Sequence, residues 1–184
     1  MLLKLKRSNA QLRASAEHDP LTGLPNRILF QERLTQSLEW ANSQNRIVAL
    51  LFLDLNDFKH VNDSLGHQVG DLLLKTIGDR LKGCLRGSDT VSRLGGDEFT
   101  VILPGIPSKS DVARVAQKIL DTITQDTILE GHKISITTSI GISLYPADAQ
   151  DMETLIKLAD TAMYRAKTTG KNLYEFSRDT DTQS

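Results

Sequence analysis

Seven apolar residues run unbroken from Ile47 to Leu53, and Asp54 follows them directly. A run of that length reads as a β-strand buried on both faces, since a half-exposed strand would alternate polar and apolar residues. It is far too short to span a bilayer. The strand is expected to end at Asp54, where an acidic residue emerges from the core.

Helical periodicity surrounds this strand. Phe30, Leu34, Leu38 and Ala41 mark one face of a helix from about Arg27 to Asn42. Phe58 to Leu65 reads as a short helix stopped by Gly66, and Val69, Leu73, Ile77 and Leu81 mark another that ends near Gly83. Val112, Val115, Ala116, Ile119 and Ile123 make an amphipathic helix. Met152, Leu155, Ile156, Ala159, Met163 and Ala166 make the last one, ended by Gly170.

Val91–Leu94 and Phe99–Leu103 flank Gly95-Gly96-Asp97-Glu98, the pattern of a β-hairpin. Ile134, Ile136, Ile140 and Ile142 alternate with Ser135, Thr137, Ser139, Gly141 and Ser143, which predicts a strand apolar on one face. Leu173–Phe176 is expected to be a last strand. Strands and helices mix without strict βαβ alternation, and the hairpin forces antiparallel pairing. The expected fold class is α/β in the α+β sense, with a central antiparallel-rich mixed sheet surrounded by helices.

At the N-terminus Leu5 and Leu12 are seven apart and Ala16 follows, a coiled-coil-like spacing on a polar helix. The expected organisation is a linker or signalling helix over residues 1–17, one domain over 18–177, and a polar, disordered tail over 178–184. The turn-forming stretch Asp19–Arg27 joins helix to domain. The chain starts abruptly in a helix and is expected to be a fragment of a larger signalling protein.

Charge and cysteine usage narrow the chemistry. A net charge of -1 implies no broad basic surface for nucleic acid, so phosphate must be bound by a few local cations. Cys84 is the lone cysteine, which precludes an internal disulfide and points to a reducing compartment. His18, His60, His67 and His132 are scattered and do not form a zinc pattern. Leu2, Leu3 and Leu5 alternate with Lys4 and Lys6, so no secretory signal is visible and a cytoplasmic location is expected. The longer protein is free to be membrane-anchored through other regions.

Asp54 and the pair Asp97-Glu98 are the main chemical observation. If the strands that carry them are neighbours, three carboxylates converge, and hard oxygen ligands suit Mg²⁺. Ordinary surface charge is the plain alternative. Gly95-Gly96 lets backbone approach a nucleotide closely, although a bare hairpin needs the same glycines. Lys59, Lys167 and Lys171 are candidate phosphate cations; each could equally be a solvated lysine. No GxxxxGK[ST], GxSxG or HExxH sequence occurs.

SRLGGDEFTVIL resembles the signature segment of the GGDEF family. FLDLNDFKHVNDSLGHQVGDLLL resembles the family's segment around its first metal-binding aspartate, and DPLTGLPNR its N-terminal motif. SIGISLYP and ADTAMYRAKTTGKN resemble its later strand and closing helix. The matches are in order and run from about Asp19 to Phe176, and the closing segment looks like the class in which a GGDEF domain is joined to a phosphodiesterase.

The resemblance implies a fold similar to the polymerase palm and nucleotide cyclase domains, and a diguanylate cyclase activity. In that activity two GTP molecules, one per subunit of a homodimer, condense to cyclic di-GMP with loss of pyrophosphate. It implies two Mg²⁺ or Mn²⁺ ions per site, held by Asp54, the Leu55 carbonyl, Asp97 and Glu98. Asp97 would also accept the proton and Lys59 would stabilise the transition state. Asn62 and Asp71 match guanine readers, with Phe58, Gly95 and Gly96 at the substrate. Lys167 matches a triphosphate-binding lysine, and Lys171 stands where the family often has arginine. Arg86 and Asp89, with Arg93, match an inhibitory site for the product. Departures are Asn56, where a second aspartate sometimes stands, and Asp57, where an aromatic is frequent. A silent GGDEF-like sensor of GTP or cyclic di-GMP is the alternative, yet such sensors usually break the signature that is intact here. Sensor or phosphodiesterase domains are expected in the longer protein.

Overall fold

The computed structural model describes residues 1–178. Apart from Arg178, the tail expected beyond Ser177 lies outside the described residues.

The apolar run forms β1 (Val48–Asn56), and every residue of it is buried. It is the middle strand of a five-stranded sheet. β3 (Glu98–Pro104) lies on one side, followed outward by β2 (Thr90–Gly95). β6 (Thr137–Tyr145) lies on the other side, followed by β7 (Tyr174–Phe176). All neighbours are antiparallel except β6 and β7, which run parallel. This is the antiparallel-rich mixed sheet expected from the sequence.

Two helical layers cover the sheet, and strand alternation assigns the residues between them. Val48, Leu50 and Phe52 pack with Phe30, Leu34, Leu38 and Ala41 of α2 (Arg27–Gln44) and with Leu155, Ala159 and Met163 of α6 (Met152–Thr169). Ala49, Leu51, Leu53 and Leu55 face the other way. They pack with α4 (His67–Cys84) through Leu73, Ile77 and Leu81, and with α5 (Lys109–Ile123) through Val112, Ala116, Ile119 and Ile123. α3 (Phe58–Leu65) bridges β1 to α4, and α1 (Leu2–Glu17) projects with no buried residue. Helix caps follow their sequence signals: Asn26, Ser108 and Asp151 each accept backbone N–H bonds at a helix start.

Two expectations are corrected. β1 does not stop at Asp54; Leu55 and Asn56 continue the ladder against Thr138 and Thr137 of β6. The single strand expected over Ile134–Ser143 is two strands. β4 (Thr127–Leu129) and β5 (His132–Ile134) form a separate hairpin around Glu130 and Gly131, both at positive φ, and β6 starts afresh at Thr137. The face of β6 that carries Ser139, Gly141 and Ser143 is buried, because α6 lies directly on it. A Cβ at Gly141 would collide with the backbone of Ala159 and Met163, and Ser143 Oγ donates to the Leu155 carbonyl at 2.8 Å. Small residues at alternate positions make room for a helix, not for water.

Candidate functional site

The alternation that packs β1 also aims Asp54. It shares parity with Leu50 and Phe52, so its carboxylate points to the α6 face. There Lys167, in the last turn of α6, donates to Asp54 Oδ2 at 2.6 Å. Asp54 is 9% exposed, and among the described residues its second oxygen, Oδ1, has no hydrogen-bond partner.

The β2–β3 hairpin brings the other two carboxylates. Glu98 opens β3 directly opposite Asp54, so both side chains leave the same face. Asp97 stands in the turn just before it, and its carbonyl accepts from the Leu55 amide at 3.4 Å. The turn is built on Gly95 (φ 143°) and Gly96 (φ 51°), backbone settings that a side chain would strain.

The electrostatics follow from this crowding. The Asp97 carboxyl is pushed up to about 7 by burial, by a hydrogen bond with Asp54 and by the Asp54 charge. Burial, then the charges of Asp54 and Asp160, raise Glu98; Arg27 and Lys167 oppose this. The hydrogen bond to Asp54 raises Lys167 despite its partial burial, so it stays charged.

A site with an orphaned buried oxygen, and with acids raised first by burial and then by each other's charge, has more negative charge than Lys167 alone offsets, and that is the setting a divalent cation relieves. Among the described residues no three His, Cys, Asp or Glu side chains stand as a ready metal cage. A bound ion would therefore need backbone or ligand oxygens besides these carboxylates.

The remaining candidates fall into three places. Lys59 is exposed on the first turn of α3, near the carboxylates in sequence, and Phe58 beside it is buried. Lys171, past the end of α6, pairs with Asp57 at 3.0 Å, so two residues that depart from the family pattern face each other. Asn62 on α3 lies against Gly70 of α4, where a Cβ would meet its amide, and Asp71 is the next residue of α4, exposed. The carboxamide and the carboxylate therefore border one edge of the α3–α4 junction.

Arg86 and Asp89 lie in the α4–β2 loop, away from the carboxylates. Asp89 accepts from the Arg86 amide at 2.9 Å and from Arg86 Nη2 at 3.1 Å; its side chain is 2% exposed, whereas that of Arg86 is 55% exposed. Beside them is a depression of 260 Å³ shared with Arg33 and Lys82. A neighbouring cleft of 830 Å³ is lined by Arg33, Trp40, Arg46 and Thr90. Arg93 does not join this group. Its guanidinium points to Asp19 at 2.8 Å and to the Gly96 carbonyl at 2.8 and 3.0 Å.

Sequence reading missed the partners of these groups. Asn56 is 1% exposed, donates to Thr137 Oγ1 at 2.9 Å and accepts from Ser139 Oγ at 3.0 Å. The amide satisfies a donor and an acceptor at once, which gives this departure a structural reason. Asp19, Arg27 and Asp160 also shape the site. A signal for Asp19 was present in part: an aspartate three residues before a threonine predicts the local turn it makes with Thr22, but not its distant arginine.

Residues 16–173 match the family model described as "Diguanylate cyclase, GGDEF domain". The chain is similar to the bifunctional diguanylate cyclase/cyclic di-GMP phosphodiesterase MucR of Pseudomonas aeruginosa, 44% identical over 172 residues, which are 94% of this chain and 25% of that protein. It is likewise 44% identical over 165 residues to the diguanylate cyclase TpbB of the same species, covering 89% of this chain and 38% of TpbB. The chain thus spans well under half the length of these curated relatives. The solved GGDEF domain of TpbB superposes with a TM-score of 0.86 at 42% identity, covering 88% of this chain and 94% of that one. The coiled coil and GGDEF domain of DgcB from Caulobacter crescentus, solved with c-di-GMP, also gives 0.86, at 26% identity over 95% of this chain and 93% of that one. The neighbouring carboxylates on a five-stranded, mostly antiparallel sheet and these matches lead to one conclusion: the chain belongs to the GGDEF family of diguanylate cyclase domains.

Proposed function

We propose that this domain is an active diguanylate cyclase that condenses two GTP molecules into cyclic di-GMP as a homodimer. The observation that carries the reading is the approach of Asp54, late in β1, to Asp97 and Glu98 at the β2–β3 turn, with Lys167 already in contact with Asp54. Each subunit supplies half of the reaction centre. The 3′-oxygen of one GTP bonds to the α-phosphorus of the other, the bond to the β-phosphate breaks and pyrophosphate leaves. A second such attack closes the ring.

Asp97 would accept the proton of the attacking hydroxyl, as its place beside Asp54 in the signature turn suits. Lys167 and Lys171 exchange Asp54 and Asp57 for triphosphate oxygens, and Lys59 faces the reacting phosphoryl group. Asp71 accepts from guanine N1–H and N2–H₂ while Asn62 reads the same base, so adenine would leave a polar site unpaired. Two Mg²⁺ or Mn²⁺ ions would be held by Asp54, the Leu55 carbonyl, Asp97 and Glu98; when bound, they supply charge that lowers the hydroxyl pKa and offsets that of the pyrophosphate.

Arg86 and Asp89 would form an inhibitory product site, with Arg86 on phosphate or guanine O6 and N7. In this reading residues 1–17 set subunit spacing, residues 18–177 form the cytoplasmic catalytic domain, and sensor or phosphodiesterase domains complete a longer protein. The experiment is incubation with GTP and Mg²⁺, with ATP in parallel, and product identification by mass spectrometry. Cyclic di-GMP from GTP alone is expected. GTP binding without product would favour the silent sensor.

A further inference from the structure

We propose that Arg93 is a positioning residue that sets the signature turn, and that through Asp19 it ties the placement of Asp97 and Glu98 to the end of α1. The inference rests on the carboxylates forming the metal-assisted centre described above. It gives Arg93 a role different from the product-binding one expected from sequence.

The geometry is specific. Arg93 Nε and Nη2 both donate to the Gly96 carbonyl, at 3.0 and 2.8 Å, while Nη1 donates to Asp19 Oδ1 at 2.8 Å. Both side chains are only 12% exposed. The Gly96 carbonyl and the Asp97 amide belong to one planar peptide unit, so holding the oxygen fixes the direction in which the chain enters Asp97. Two consecutive glycines at positive φ give this turn little stiffness of its own. The guanidinium supplies it from outside.

The other half of the link is equally fixed. Asp19 Oδ2 accepts from the Thr22 amide and hydroxyl, both at 2.8 Å, and the Asp19 amide donates to the Leu24 carbonyl at 2.7 Å. Burial raises the Asp19 carboxyl, but the Thr22 and Arg93 bonds outweigh it and hold the group below its ordinary value, hence ionised. Asn26 closes the loop onto α1: its amide donates to the Glu17 carbonyl and its Nδ2 to the Ala16 carbonyl, each at 2.8 Å. Arg93 N also donates to the Pro25 carbonyl at 3.0 Å. A continuous set of short bonds thus runs from the last turn of α1, through the Asp19–Asn26 turn, to the peptide that precedes Asp97. A shift of α1 against the domain reaches the carboxylates along it.

The test uses the whole chain and four variants: Arg93→Lys, Arg93→Ala, Asp19→Asn, and the exchange of Asp19→Arg with Arg93→Asp. Melting temperature, kcat and KM for GTP are measured, with Mn²⁺ affinity by calorimetry without nucleotide. Lysine keeps the charge but cannot grip Asp19 and Gly96 together. Arg93→Lys is expected to lower kcat on the order of 10- to 100-fold, with KM for GTP within about threefold, and to weaken Mn²⁺ binding about tenfold. Asp19→Asn should lose less, because Gly96 keeps its donors. The exchanged pair should stay slow, since aspartate at position 93 offers the Gly96 carbonyl no donor; a merely structural ion pair would be restored. Wild-type kcat and Mn²⁺ affinity in a folded Arg93→Lys or Arg93→Ala, or full recovery in the exchange, would overturn the proposal. If Arg93→Ala does not fold, Arg93→Lys and the exchange still decide. A wild-type protein that binds Mn²⁺ but forms no cyclic di-GMP would overturn the cyclase reading alone, and the Mn²⁺ affinities would still decide the role of Arg93.

Discussion

The two ends of β1 follow opposite rules. From Val48 to Leu53 every side chain is buried among apolar neighbours on two faces, and each part of the strand is satisfied by ladder and packing. At the very next position Asp54 is nearly as buried, yet it is a carboxylate with an oxygen without a partner and two acidic neighbours. The first end stabilises the fold. The second end gathers carboxylates whose charge Lys167 and Arg27 offset only in part. A stable scaffold and a strained site on one strand is the arrangement expected where function and stability compete.

The sharpest way to break this contrast is to remove charge at the rim. Asp54→Ala and Glu98→Ala should each lower cyclic di-GMP formation by about 10³-fold or more, as removal of a transition-state charge stabiliser does. The melting temperature should hardly change, because the carboxylates do not pack the core. Loss of the fold in either variant would erase the distinction between the two ends.

The complementary substitution is Leu51→Ala, at the fully buried middle of the strand. It should cost about 2–5 kcal/mol of stability by denaturant titration. The folded fraction should keep kcat within a few-fold of wild type. A larger loss in kcat would mean that the core end also tunes the site.

Acid titration separates the ends by sign. Asp97 is raised from 3.8 to about 7, so the folded chain holds a proton that the unfolded chain releases. That contribution is fully present below the unfolded value and is lost as pH rises through about 7. Metal-free stability should therefore fall across this window. Mg²⁺, which needs the ionised form, should raise the melting temperature more at about pH 8 than at about pH 6. Asp54→Asn should reduce the metal-free dependence without abolishing it, because it removes the neighbouring charge while burial, the larger cause, remains. Unfolding curves at each pH, with chelator or Mg²⁺, provide the check; a stability that rises between about pH 5 and 7 in the wild type but not in Asp97→Asn would contradict the assignment.

The smallest effect is expected at Lys171, whose pairing with Asp57 is exposed and weak. Lys171→Arg should lower KM for GTP about two- to fivefold by adding a second parallel bond to phosphate, with kcat little changed. Steady-state kinetics in GTP measure it.

How much of this was legible in the sequence depends on where the partners lie. The apolar run marked β1 because burial on both faces leaves no polar residue to confuse the period. Its end was misjudged because Leu55 and Asn56 are held by Thr138 and Thr137, a polar pairing that periodicity does not register. The period-2 pattern marks Ser139, Gly141 and Ser143 as one face of a strand but does not say what covers that face; the closeness of α6 does. The β4–β5 hairpin had a signal, Glu130-Gly131 between short alternating segments, but it was absorbed into the longer run of isoleucines. At the site, Asp54, Asp97 and Glu98 were readable as chemistry-bearing residues at strand ends. Their counter-ions were not, since Lys167 is 113 positions from Asp54 and Arg93 is 74 from Asp19.

The most direct measurement of the central claim is the initial rate of cyclic di-GMP formation from GTP and Mg²⁺ by the wild-type chain and by Asp97→Asn, at several enzyme concentrations. Asparagine keeps the shape of the turn but can neither accept the proton nor balance a cation. The account predicts product from the wild type at a rate that climbs faster than linearly with enzyme at low concentration, as a two-subunit reaction requires. It predicts a fall of about 10³-fold or more in Asp97→Asn, with the melting temperature kept or raised. Equal rates in the two proteins would contradict it.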